Sequence, residues 1–148
     1  MATKYYTISD GFFREEYPMH TNLDVEKFYS VQRIEQNTTF YDFLGDNLAD
    51  YLLDTILPTA VSARTAVQTA FLEKMQMLTV FYVARGLEDF NSDSPNDRKV
   101  NALNQKIEFY KKIVREHIAD TSELVVIQDT DTEPSRDDYQ SFPTYFYR

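Results

Sequence analysis

Two histidines, His20 and His117, are the first residues to weigh in a chain of 148 residues that contains no cysteine. A diiron helical bundle needs Glu-x-x-His pairs that project inward. Residue 114 is Val and residue 17 is Tyr, so neither histidine has that glutamate. Glu116 and His117 are adjacent and point different ways on a helix. A serine or cysteine nucleophile needs a base and a group that orients it, and two unsupported histidines do not supply them. There is no Gly-rich phosphate loop. The run DTDTE, from Asp129 to Glu133, has the carboxylates of a calcium loop but lacks its central glycine and its spaced final glutamate. It reads as a solvated acidic linker. Glu15–Glu16 is an ordinary surface pair. Met75, Met77, Tyr82 and Tyr110 lie at helical spacing and read as core, and His117 reads as a boundary residue near a helix C-terminus, where positive charge is favoured. The residues therefore point to no catalytic, cofactor-binding or metal-ligating site, and the chain is expected not to be an enzyme.

A chain of this length is expected to form one domain with a sizeable core. Apolar residues make up 43% and aromatic residues 15%, the latter all Tyr and Phe, while glycine is rare. The net charge of −9 argues against coating nucleic acid or an anionic membrane, since both need clustered Lys and Arg. It leaves open a partner with a basic patch and an acidic channel lining that repels DNA. The lack of cysteine fits a reducing cytoplasm. No apolar run approaches the ~18 residues of a membrane span, and the first residues lack the apolar core of a signal peptide.

Helices dominate the pattern, and the expected fold class is all-α: a small helical bundle with one long central helix and extended terminal arms that could hold short strands. The expected organisation is an N-terminal arm over residues 1–21, a helical domain over 22–120, and an acidic, aromatic C-terminal arm over 121–148. Thr21 and Asp24 have capping-box spacing before a first helix with a stripe of Val25, Phe28, Tyr29, Val31 and Ile34. Asn37, Thr38 and Thr39 predict that this helix ends or bends there. Gly45 suits the position just past a helix end, and Leu48, Tyr51, Leu52 and Ile56 give a second, short helix one buried face. The longest helix is expected from about Pro58 to Leu87. Gly86 reads as its stop signal, and Ala60, Ala63, Ala66 and Ala70 as a face that another helix can approach. Ser94 and Pro95 predict the start of a last helix. It carries Val100, Leu103, Ile107, Tyr110, Val114 and His117 or Ile118 at steps of three and four and ends near Asp120, with Lys106, Lys111, Lys112 and Arg115 on its wet side. Leu124 to Ile127 form a short strand-like run.

The termini stand out. Tyr5, Tyr6, Phe12, Phe13 and Tyr17 punctuate the first arm, and Tyr139, Phe142, Tyr145, Phe146 and Tyr147 crowd the last ten residues. Tyr and Phe offer large contact area at small entropic cost. An alternating aromatic segment can fill a groove on another subunit, and Pro143 disfavours a helical Phe142. Tyr139, Phe142, Tyr145, Phe146, Tyr147, Tyr5, Tyr6, Phe12 and Phe13 are accordingly the candidate partner interface.

The segment DVEKFYSVQRIEQNTTFYDFLGDNLADYLLD, from Asp24 to Asp54, combines a helix, an apolar Leu-Gly turn and a short helix. A long Ala-rich helix and a further amphipathic helix follow it. Over residues 22–119 this resembles the small helical head-to-tail connector, or adaptor, proteins of tailed bacteriophages. In that resemblance Leu44, Gly45, Leu48 and Leu52 form the helix-turn motif that starts the bundle. It implies a structural virion protein of the neck, assembled in the host cytoplasm. Copies would form a homo-oligomeric ring, twelvefold, beneath the portal protein and would meet a tail protein or a second ring. DNA would pass through without specific binding, and no residue would be catalytic. The residues alone also fit another reading, a helical protein-binding module or assembly factor that captures a partner through its terminal arms.

Overall fold

The computed structural model describes residues 6–18, 23–91 and 97–129. Within them the chain forms α1 (Asp10–Glu16), α2 (Val25–Leu44), α3 (Asp46–Asp50), α4 (Ala66–Asn91), α5 (Asp97–Asp120) and α6 (Ser122–Asp129), with no strand among the described residues. The expected all-α bundle with one long central helix is what forms. α4 is that centre. Its residues 78–84 are all buried, so it is surrounded rather than laid on one face. It pairs antiparallel with α5: Lys99 reaches Glu88 at 2.9 Å, Arg85 reaches Asn104 at 3.0 Å, and Phe81 stacks on Tyr110 with centroids 5.4 Å apart.

α2 packs on another side of α4, and its buried residues explain why it runs straight through Asn37–Thr39 to Leu44. Phe28, Gln32, Gln36, Phe40 and Leu44, four residues apart, are all buried, with Val31 beside them. Val25 and Ile34 of the expected stripe are instead 42% and 50% exposed. Two glutamines in the true stripe broke the apolar pattern that a sequence reading follows. Asp24 caps the helix by accepting from the Lys27 N–H. At the other end Gly45 takes φ +86°, a backbone state that costs glycine little, and its N–H donates to Tyr41 O. Asp46 then opens α3, which continues through Ile56 as a π-helical turn in which the Leu57 N–H reaches Leu52 O. The Leu44–Gly45 turn stands where expected, and Leu44, Leu48 and Leu52 are all buried.

Four expectations need correction. α4 starts at Ala66, not Pro58. Thr65 and Gln68 form its reciprocal capping box, in which the Gln68 N–H donates to Thr65 Oγ1 and the Thr65 N–H to Gln68 Oε1. The residues before it form an irregular turn, where Arg64 donates to the carbonyls of Ile56, Leu57 and Thr59. Gly86 does not stop α4. It lies inside the helix at the α2 crossing, where a Cβ would meet Val31 Cγ1 at 2.6 Å. The alanines at 60, 63 and 66 are exposed instead of making that approach. The run Leu124–Ile127 is helical, because only Leu124 and Ile127, three apart, need to face the body. Residues 122–129 therefore belong to the bundle and not to a C-terminal arm.

The fourth correction concerns the N-terminal arm. Residues 6–18 are built into the body. Ser9 caps α1 by accepting from the Phe12 N–H, and Ile8, Phe13 and Tyr17 are buried. Phe13 stands 5.2 Å from Phe28 and 5.7 Å from Tyr17, and Tyr6 lies 4.8 Å from Tyr29. Glutamine side chains satisfy the buried backbone at residues 7 and 8. Thr7 N–H and Oγ1–H both donate to Gln36 Oε1, at 3.1 and 2.7 Å. Ile8 N–H donates to Gln32 Oε1 while Gln32 Nε2 donates back to Ile8 O. Gln76 Nε2 of α4 donates to Thr7 O.

Two substitutions check this packing. Gly86→Ala should destabilise the chain by about 1–3 kcal/mol through overpacking, against the ~0.5–1 kcal/mol gain usual for Gly to Ala inside a helix. Adding Val31→Ala should relieve most of the loss in urea unfolding. Gln32→Leu should cost about 2–3 kcal/mol, because it strands the buried N–H and C=O of Ile8; the shift in urea midpoint measures it.

Candidate functional site

Among the described residues no group of three or more His, Cys, Asp or Glu side chains could hold a metal ion. No described helix is long and apolar enough to cross a membrane. His20 and Tyr5 lie outside the described residues, as do the five aromatic positions Tyr139, Phe142, Tyr145, Phe146 and Tyr147. Of the candidate interface, Tyr6, Phe12 and Phe13 are described. Phe13 is fully buried, so its area is used within this chain, while Phe12 is half-buried against the same core. That corrects the assignment of Phe13 as a partner contact. Tyr6 keeps 37% exposure beside Tyr29. Met75 and Tyr82 are buried, and Met77 and Tyr110 pack against them as expected.

His117 is not the charged cap that its place near a helix end predicts. Its Nε2 is buried without a hydrogen-bond partner. Burial, followed by the nearby Lys74 ammonium, holds its pKa below the usual 6.5, and Asp120 only partly opposes this. The neutral ring is the form that the fold prefers.

Several clefts lie along α5. The first, of about 620 Å³, has an apolar floor of Tyr17, Pro18, Phe81, Ala102 and Leu103. Arg98, Lys99 and Lys106 stand around it, with Glu16 the one carboxylate. Lys106 Nζ lies 5.9 Å from the centre of the Phe81 ring, and Lys99 is tied to Glu88. The Tyr17 hydroxyl is buried without a partner, and burial raises its pKa while Lys99 pulls it partly back. The second cleft is polar, about 360 Å³, and gathers Arg85, Lys111 and Arg115 with Asp42 and Phe43. Lys111 and Arg115 lie 5.6 and 5.0 Å from the Phe43 ring centre, and Lys111 also pairs with Glu108 at 3.7 Å. Lys111 is thus half-buried over rings and not simply on a wet face. α5 carries six of the 15 Lys and Arg residues of a chain of net charge −9. That local excess of cations was readable in the sequence; the apolar floor beside it depends on α1 and α4 and was not.

No family model matches the chain, and no curated protein or solved structure matches it.

The His117 environment sets a pH dependence. In the window from its lowered folded-state pKa up to 6.5, the unfolded chain binds the proton more readily than the folded one. Stability from this group is therefore complete above pH 6.5 and is lost as pH falls below it. Urea midpoints at pH 7.5 and 5.5 should draw apart in the parent chain, and less so in His117→Gln.

Proposed function

We propose that the chain is a structural subunit of a tailed-bacteriophage neck, a head-to-tail connector that assembles as a ring beneath the portal and leaves the centre open for DNA. One observation carries this reading. Five aromatic residues crowd the last ten positions, beyond a body whose described core is filled by its own side chains. Aromatic surface of that size on a terminus is expected to be buried against something, and a neighbouring subunit in a ring offers the same groove to every copy. The resemblance over residues 22–119 supports it, with Leu44 and Gly45 at the turn that opens the second half of the bundle. Within the first arm Phe13 serves the body, so assembly falls mainly to residues 139–147, with Tyr5, Tyr6 and Phe12 as a secondary contact. The net charge of −9 suits a lining along which DNA slides without being held.

Deleting residues 139–148 should leave helical circular dichroism and the melting temperature nearly unchanged and abolish ring formation. Mass measurement and electron microscopy, alone and with the portal of the same phage, read the second effect. A truncated protein that unfolds would place the segment in the core. A full chain that stays a soluble one-to-one complex with another partner would favour a partner-capturing module over a ring.

A further inference from the structure

We infer that the apolar groove of Tyr17, Phe81 and Leu103 is the seat of the chain's own C-terminal segment, held intramolecularly in the unassembled protein. Three observations select this occupant. The first is chemistry. The groove joins an apolar floor to Arg98, Lys99 and Lys106, three cations against the one carboxylate of Glu16, and the segment joins Asp137 and Asp138 directly to Tyr139 and Phe142. Aromatic side chains would cover the floor while the two carboxylates meet the exposed Arg98 and Lys106. The unpartnered Tyr17 hydroxyl also gains a polar group within reach.

The second is size. A cleft of about 620 Å³ falls in the range of about 300–1,000 Å³ typical of ligand pockets. It takes a few side chains of an extended segment, not a helix. The third is reach. Gln128 shares a cleft with Arg115, Ile118 and Ala119, so α6 releases the chain beside the C-terminal part of α5. From there to Ala102 is ~24 Å along the helix. Nine residues from Asp129 to Asp138 span up to ~30 Å. The linker therefore reaches its own groove without strain, and a tether of this length gives an effective concentration in the mM range. That exceeds any concentration of other copies in dilute solution, so the intramolecular seat fills first.

The docking stands on the groove itself. Its meaning, that an assembly arm is stored until a ring offers a better place, rests on the connector reading. In a ring the same segment would leave this groove for a neighbour, so subunits would stay apart until the portal gathers them.

Disulfide trapping tests the inference, because the chain has no cysteine to interfere. Ala102→Cys, exposed at the groove, is combined with Ser141→Cys in the full chain. Glu116→Cys with Ser141→Cys is the control, since Glu116 is exposed and nearer the root of the segment. A freely moving tail would cross-link faster to position 116. The expected result is an intramolecular bond at 102 that forms faster than at 116. Arg98→Glu with Lys106→Glu should slow it about fivefold, the order expected for two exposed charge pairs. Asp137→Lys with Asp138→Lys should restore it in that background. Cross-linked dimers in place of intramolecular bonds, or faster reaction at 116 than at 102, would overturn the proposal. Ring formation with the portal is measured separately, so a failed ring leaves the trapping result intact, and a failed trap leaves the connector reading to stand on assembly.

Discussion

Residues 7 and 8 lie between α2 and α4 with their backbone buried, and three glutamines hold them there. A buried peptide group that loses water must find a partner inside the protein. In most folds a strand or a helix provides it. Here Gln32, Gln36 and Gln76 do, and Gln32 both accepts from the Ile8 N–H and donates to the Ile8 carbonyl. The pairing that a neighbouring strand would make is thereby made by side chains. It requires α2 and α4 to be fixed at one spacing, and Gly86 against Val31 fixes it. Once that spacing is set, α1 is carried onto the bundle, and Phe13 and Tyr17 close one end of the core.

The same arrangement shapes the surface. Tyr17 is buried because α1 is anchored through residues 7 and 8, and it becomes part of the floor of the groove along α5. The cations of α5 owe their setting to the packing of that helix on α4. Lys106 stands over Phe81, and Lys111 lies between Phe43 and Tyr82. Charge-bearing side chains that lie on aromatic faces keep their stems dry and their heads wet. An acidic protein thus presents one basic, partly apolar helix, the kind of surface that an acidic and aromatic segment complements.

Several elements were legible in the sequence because their signals are local. Gly45 at a positive φ, the core stripe of α5 and its end near Asp120 depend on nearby residues alone. Errors arose where a distant partner decided the outcome. Gly86 looks like a stop signal and is a contact, because Val31 lies 55 positions earlier in the chain. Gln32 and Gln36, absent from the expected stripe, are part of the buried one. Their spacing of four with Phe28, Phe40 and Leu44 was present to be seen, but a polar residue counts as buried only when its partner is known. Leu124–Ile127 looked like a strand because β-branched residues favour one, and the packing of α6 against α3 and α5 overrode that preference.

By itself, the sequence determined the helical class, the Leu44–Gly45 turn and the end of α5 near Asp120. It also determined the acidic and aromatic character of the C-terminal segment. Composition, caps and periodicity suffice for these, since each is a property of a few neighbouring residues. Only the tertiary structure decided that Phe13 and Tyr17 belong to the core, that burial lowers the pKa of His117, and that α1, α4 and α5 border an apolar groove. Each of these depends on burial, and burial is settled by residues far apart in the chain once their backbones are brought together.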